Sequence, residues 1–225
     1  MQKKISKPLL DKIKMKVVSV ILARGGSKGI PRKNIIDING KPLIQYVIDA
    51  SNNSIVGETW VSTDDEEIAE ISGNHGAKIL WRPAEFATDK ASSESALLHF
   101  ADNVDFDILV FIQPTSPLLE TKYIDEGLSK MDKYDSIVSV YEDKWSAKFD
   151  GDGNPYEWDI NNRPRRQDAE KLYVDNGSFF ITTRKALLES RCRYSGKIGM
   201  VEMPFSKSFE VDTFDDLNLI RKLCK

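Results

Sequence analysis

The sequence predicts an α/β fold, a mostly parallel sheet with helices on both faces. Three observations carry that expectation. The run 17–23, VVSVILA, is rich in β-branched residues and apolar on both alternating faces, as a strand buried on both sides requires. Strand-like runs alternate with helix-period segments over most of the chain. A glycine-rich turn follows the first strand directly, and open α/β sheets bind ligands beyond the carboxyl ends of their strands.

The elements follow in order. Residues 42–50 read as a helix, with Pro42 in the first turn and Leu43, Tyr46, Val47 and Ala50 on one face. A short strand over 59–62 leads to a helix over 65–74 that ends before Gly76. A strand over 77–80, a helix over 93–102 and a buried strand over 108–112 come next, then a helix over 123–131 and a strand over 136–140. From 141 to 172 the alternation fails, and Gly, Pro, Asn, Trp and charge dominate. It resumes with a strand over 178–181, a helix near 185–190, a strand over 200–203 and a last helix from Thr213.

The chain therefore reads as a single domain over 16–225 with an excursion at 141–172, preceded by a basic extension at 1–15 in which Met15 is an alternative start. That extension and the run after it resemble a signal peptide, but the apolar run is only seven residues long and meets Arg24 without a cleavage site. No run approaches the ~20 apolar residues that span a bilayer. A cytoplasmic protein without membrane contact is expected. Over 225 residues, 40% hydrophobic and 30% charged content with net charge −3 fits a soluble globular protein. The mild acidity argues against a general nucleic-acid binder. Cys192 and Cys224 form no redox or metal motif and suit a reducing compartment.

The loop after the first strand carries Arg24, Lys28, Arg32 and Lys33 within ten positions. Gly25, Gly26 and Gly29 would let backbone N–H groups approach an anion while Arg24 and Lys28 add charge. The other reading is an ordinary glycine-rich turn with exposed lysines. The loop matches neither the Walker pattern nor the dinucleotide fingerprint, so it reads as a phosphate loop of a third kind. Arg82 by itself reads as a surface residue before a proline turn, and Gln113 as a strand-end amide capping a neighbouring backbone. Glu210 and Asp212 share a face if extended, as a divalent cation requires. Alternatively Asp212 or Thr213 is simply the N-cap of the last helix.

The block Leu22-Ala23-Arg24-x-x-Ser27-Lys28-Gly29-x-Pro31-x-Lys33-Asn34 resembles the N-terminal signature of the acylneuraminate cytidylyltransferases. Three further blocks follow in the family's order. They are Arg82-Pro83-Ala84-Glu85-Phe86-Ala87-Thr88-Asp89, Gln113-Pro114-Thr115-Ser116-Pro117 and Phe209-Glu210-Val211-Asp212-Thr213. The resemblance implies a Rossmann-like fold with a small dimerisation excursion, and an enzyme that activates a nine-carbon α-keto acid sugar, sialic acid-like, with CTP. The products would be a CMP-sugar and pyrophosphate.

By the same resemblance Arg24, Gly25, Ser27 and Lys28 hold the triphosphate, Lys33 and Asn34 contact the nucleotide, and Arg82 and Ser93 complete its pocket. Gln113, Arg165 and Asn176 are expected at the sugar, Arg165 through the second subunit of a homodimer. The catalytic expectation falls on Arg24, Lys28 and Asp212. Oxygen ligands at Glu210 and Asp212 beside phosphate indicate Mg²⁺, since only His75 and His99 are present to serve a nitrogen-rich site. The resemblance departs at Val174, where sialic acid enzymes often carry arginine, and the identity of the sugar stays open. Two alternatives stand beside this reading. One is a related nucleotidyltransferase for 3-deoxy-manno-octulosonate or a sugar phosphate, and the other is a non-catalytic nucleotide-binding dimer module.

Overall fold

The computed structural model describes residues 15–224. The expected basic extension lies outside the described residues except for Met15, which is half-buried against the core. In chain order the elements are β1 (Val17–Leu22), β2 (Asp37–Ile38), β3 (Lys41–Pro42), α1 (Leu43–Asn52), β4 (Glu58–Thr63), α2 (Glu66–Asn74) and β5 (Lys78–Trp81). They continue with α3 (Ser93–Asn103), β6 (Ile108–Ile112), α4 (Thr121–Leu128), β7 (Ser136–Asp143), β8 (Lys148–Phe149) and β9 (Pro155–Tyr156). The last are β10 (Leu172–Thr183), α5 (Arg184–Ser190), β11 (Ile198–Glu202) and α6 (Phe214–Leu223).

Seven strands form one sheet in the order β11-β7-β10-β6-β1-β4-β5. All run parallel except β10, which is antiparallel to both β6 and β7. The mostly parallel α/β fold is as expected. From β1 the chain moves outward through β4 to β5, then returns to β6 on the other side of β1. That reversal opens a crevice at the carboxyl ends of β1 and β6, where an α/β sheet binds its ligand.

Burial follows the alternation of β1. Ile21 packs under α1, α2 and α4 with Ile44, Val47, Ile68 and Ile124, while Val18 and Val20 pack under α3 and α5 with Leu97, Phe100 and Leu187. Ser19 interrupts the apolar run at no cost in unpaired groups, because its hydroxyl lies 2.7 Å from that of Ser51, which in turn lies 2.8 Å from Thr59. A third cluster joins Ile30, Ile38, Leu43 and Leu118 to Val211, Leu217 and Ile220. It fastens the loop after β1 to the C-terminal segment.

Two features differ from the sequence reading. The small β2–β3 hairpin was not anticipated, although Asn39-Gly40, with φ of 55° and 86°, is the expected chemistry for its turn. The strand expected at 178–181 is the end of β10, whose first residues 172–175 pair with 140–143 of β7. The base of the excursion is thus a continuation of the main sheet, and β8–β9 make a separate two-stranded ribbon within it.

Candidate active site

The loop after β1 leaves the sheet at Arg24 and is fixed by its own backbone. The Gly25 N–H donates to Asp64 Oδ1 at 2.9 Å, and Asn34 Nδ2 donates to the Arg24 carbonyl at 2.9 Å. Two glycines are needed for close approach. A β-carbon on Gly25 would stand 2.6 Å from Asp65 Oδ2, and one on Gly29 would stand 2.9 Å from the Asp212 carbonyl oxygen. Buried Ile30 then anchors the loop in the third cluster.

The positive charge gathered here meets carboxylates drawn from distant parts of the chain. Arg24 Nη1 and Lys28 Nζ each lie 2.8 Å from a different oxygen of Asp89. Arg32 pairs with Asp65 and Glu67, and Lys33 Nζ lies 2.8 Å from Asp212 Oδ1. Lys28 and Arg24 together hold the Asp89 carboxyl below its ordinary pKa. Arg82 is the exception. It is 7% exposed, donates from Nε to Ser62 Oγ at 3.1 Å and from Nη2 to the Ser62 carbonyl at 2.5 Å, and has no carboxylate in ion-pair reach among the described residues. Burial pushes its pKa down to about 10, with Arg24 adding to the effect and Asp64 opposing it.

A cleft of about 170 Å³ is lined by Arg24, Arg82, Phe86, Asp89, Ser92 and Ser93, among others. The last two stand at the start of α3, where the Ser92 hydroxyl caps the helix by accepting from the Ser95 N–H at 3.1 Å. Two guanidinium groups, one of them buried and unpaired, beside a helix N-terminus make this a place for an anion.

The acidic side of the site is assembled on the turn after β6. Gln113 begins that turn with its N–H on the Ser178 carbonyl at 3.0 Å, and the Thr115 carbonyl accepts from the Val211 N–H at 2.9 Å. This brings Glu210 within 2.9 Å of the Thr115 hydroxyl, which donates to it. Glu210 reaches its place beneath Gly177, where a β-carbon would stand 2.6 Å from the carboxylate. Burial above all raises the Glu210 pKa, and Asp212 and Asp175 add to it against the Thr115 hydrogen bond and Lys33. Thr213, not Asp212, caps α6, in a reciprocal capping box with Asp216. The exposed Asp212 side chain is left to face Lys33.

The carboxylate pair fits the expected Mg²⁺ in donor chemistry. Both side chains offer oxygen donors, and Lys33, whose charge acts on half-buried Glu210, is paired with Asp212. Among the described residues no group of three or more His, Cys, Asp or Glu is arranged to hold a metal. A cation here would draw its remaining ligands from water and phosphate, which is the habit of Mg²⁺.

Other expected residues sit differently. Asn176 is buried, with Nδ2 on Ser208 Oγ at 3.0 Å and Oδ1 accepting from the Ser178 N–H at 3.1 Å. Arg165 is exposed on the excursion and pairs locally with Asp168 at 2.5 Å. Ser27 stands half-exposed on the loop between Gly26 and Lys28. Sequence reasoning gave no role to Asp65, Thr115 or Gly177, and held Asp64 only in reserve as the acidic centre should Asp212 not bind the metal. Asp64-Asp65, one residue beyond the strand expected at 59–62, was the available signal, since it lies at a strand's carboxyl end beside the glycine loop.

The family model described as cytidylyltransferase matches residues 18–225. The chain belongs to the cytidylyltransferase family. It is 34% identical over 225 residues to the pseudaminic acid cytidylyltransferase of Campylobacter jejuni strain 81-176, covering 94% of this chain and 97% of that protein. It is 39% identical over 203 residues to N-acylneuraminate cytidylyltransferase B of Danio rerio, covering 86% of this chain and 48% of that protein. The chain thus spans about half the length of the vertebrate relative. Among solved structures, CMP:2-keto-3-deoxy-manno-octonic acid synthetase complexed with CTP superposes with a TM-score of 0.73 at 22% identity, over 93% of this chain and 98% of that one. That likeness bears out the Rossmann-like fold expected of this chain. No helix among its described residues is long and apolar enough to cross a membrane.

Proposed function

We propose that the chain transfers the cytidylyl group of CTP to a sialic acid-like nonulosonate, giving a CMP-sugar and pyrophosphate. The observation that carries the reading is Arg82, a buried guanidinium without a carboxylate partner in one cleft with Arg24 and the start of α3. The activities named for the relatives support the reaction class and the class of sugar acid.

In this reading the anomeric hydroxyl of the sugar attacks the α-phosphorus and pyrophosphate leaves. Catalysis rests on positioning and on neutralising charge as it develops on the phosphates. Arg24 and Lys28 take charge on the transferred and leaving groups, with Ser27 and the Gly26 N–H beside them, while the Gly25 N–H holds the loop to Asp64. Arg82 and Ser93 close the nucleotide pocket. Asn34 spends its N–H donor on the Arg24 carbonyl, and its amide oxygen accepts from the cytosine amino group. Glu210 and Asp212 would hold Mg²⁺, which when bound supplies further neutralisation of phosphate charge. Gln113 presents an amide to the sugar, while Asn176 shapes the sugar site by fixing the backbone that leads into Gly177.

The excursion is proposed to form a homodimer contact and to carry Arg165 to the neighbouring site. Phe149, Tyr156 and Ile160 support this by standing exposed on it. A cytoplasmic location is proposed with it, as a compartment where CTP is at hand.

The test is pyrophosphate release with Mg²⁺ and CTP across sialic, deaminated sialic, legionaminic and pseudaminic acids and 3-deoxy-manno-octulosonate. Turnover of one nonulosonate well above the octulosonate is expected. A second arm compares CTP with UTP, GTP and ATP, and equal turnover of all four would remove the base-reading role of Asn34.

A further inference from the structure

Arg82 and the pair Arg24–Lys28 face the same anion differently. Arg82 has no carboxylate to give up, whereas Arg24 and Lys28 are both engaged by one residue, Asp89. Its two oxygens are divided between them, Oδ1 at 2.8 Å from Arg24 and Oδ2 at 2.8 Å from Lys28, as two oxygens of a phosphate would be. A ligand phosphate cannot reach both cations while this carboxylate bridges them, because its two oxygens occupy the places the phosphate oxygens would take and carry the same sign of charge.

We propose that Asp89 is a resident counterion that holds Arg24 and Lys28 in the free protein and is displaced when the phosphates of the nucleotide bind. The inference rests on the reading of this cleft as the nucleotide site. Exposure makes the exchange easy, for the side chains of Lys28 and Asp89 are 78% and 43% accessible, and ion pairs this open contribute little. The backbone around Asp89 is also free to let go. Phe86, Ala87 and Ala91 donate to Pro83, Ala84 and Thr88, so these backbone bonds stay within the stretch 83–91. Its ties to the body are the Phe86 ring on His99, with centroids 5.1 Å apart, and the Ala87 carbonyl, which accepts from Arg24 at 3.3 Å. The consequence is a specific one. Asp89 lowers affinity for triphosphate and, by returning to Arg24 and Lys28, hastens release of pyrophosphate.

The test is calorimetric binding of inorganic triphosphate, and separately of CTP, to wild type, Asp89→Asn, Asp89→Glu and Lys28→Ala. Asp89→Asn is expected to bind triphosphate about threefold to tenfold more tightly, the range that two exposed ion pairs account for. Asp89→Glu should stay near wild type, and Lys28→Ala should bind more weakly. If Lys28→Ala is weaker while Asp89→Asn is unchanged or weaker, Asp89 merely positions the cations and the inference fails. If Lys28→Ala binds as wild type, the phosphate reading of the loop fails first. Asp89→Ser repeats the measurement with a shorter neutral side chain should Asp89→Asn fold poorly, and the same tightening is required of it.

Discussion

Lys33 Nζ lies 2.8 Å from Asp212 Oδ1, joining the first loop of the chain to an acidic motif 179 residues later. The contact is backed by Gly29 against the Asp212 carbonyl and by Ile30 packed with Val211. The C-terminal segment thus closes one wall of a site whose other walls come from β1, β4, β6 and α3. A cation and an acid on this scale of separation meet only because the third cluster holds both backbones.

Gly177→Ala should destabilise the protein and impair turnover together. Gly177 has φ of +68°, and an added β-carbon would stand 2.6 Å from Glu210 Oε2. Left-handed strain and the displaced carboxylate together should cost about 1–3 kcal/mol. The urea midpoint should fall with unchanged m-value, and turnover at saturating CTP should fall with it. A normal midpoint would mean that Glu210 swings aside freely.

The Glu94–Arg193 pair predicts an acid-sensitive fold. Arg193 Nε donates to Glu94 Oε1 at 2.6 Å, and its guanidinium lies 5.0 Å and 4.9 Å from the Phe111 and Phe180 rings. Burial pushes the Glu94 carboxyl up, but the Arg193 hydrogen bond and charge prevail and hold its pKa below the ordinary 4.5. A depressed carboxyl pKa stabilises the fold above the unfolded value and loses that contribution as pH falls through the folded one. Melting temperature should therefore drop below about pH 4.5 more steeply in wild type than in Glu94→Gln. Arg193→Met should cost about 2 kcal/mol at pH 7, because it leaves a half-buried carboxylate unpaired. It should also raise the KM for CTP, since Glu94 adjoins Ser93 in the cleft.

Much of the fold was legible because β1 and β6 carry their burial in their own composition, and most helices announce themselves by period. The phosphate loop was legible for a similar reason, as its charge and glycines are contiguous. What escaped depends on distance. Nothing local in Asp89 says that it will bridge Arg24 and Lys28, and nothing near Glu210 says that Gly177 must lack a side chain to admit it. The base of the excursion was hidden because residues 172–175 are exposed and 141–143 only half-buried, flanked by a Gly-, Pro- and Asn-rich stretch, and they become strand by pairing with each other. Asn34 and Asn176 look alike in sequence as polar contacts for a ligand, yet Asn176 is bonded to the protein through both its nitrogen and its oxygen, and Asn34 through its nitrogen.

Ile160→Asp should separate the homodimer proposed for the excursion. Ile160 is 67% exposed in the single chain, and an apolar side chain that open needs a partner surface if it is to be buried. Sedimentation should give a dimer for wild type and a monomer for the variant. If Arg165 serves the neighbouring site, turnover should fall at low protein concentration and recover in part at high concentration. An active wild-type monomer would end the idea of a shared Arg165.

Asp212→Asn tests the acidic pair with little structural noise. Thr213 and Asp216 cap α6 without help from the Asp212 side chain, so the variant changes charge rather than helix stability. If Asp212 holds Mg²⁺, turnover should fall by about two orders of magnitude or more, with each ~1.4 kcal/mol of lost transition-state stabilisation being tenfold in rate. The rival explanation is that Asp212 only orients Lys33, and a double-mutant cycle separates the two. Under that rival, Lys33→Met and Asp212→Asn each cost the same as both together, and the Mg²⁺ dependence of turnover stays that of wild type. Under the metal reading the double variant is worse than either single one, and Asp212→Asn needs far more Mg²⁺ for half-maximal rate. Glu210→Gln should shift the Mg²⁺ requirement in the same direction, because it removes the second carboxylate of the pair. A wild-type Mg²⁺ titration in both single variants would move the search for the metal to Asp64, which already faces the loop through the Gly25 N–H.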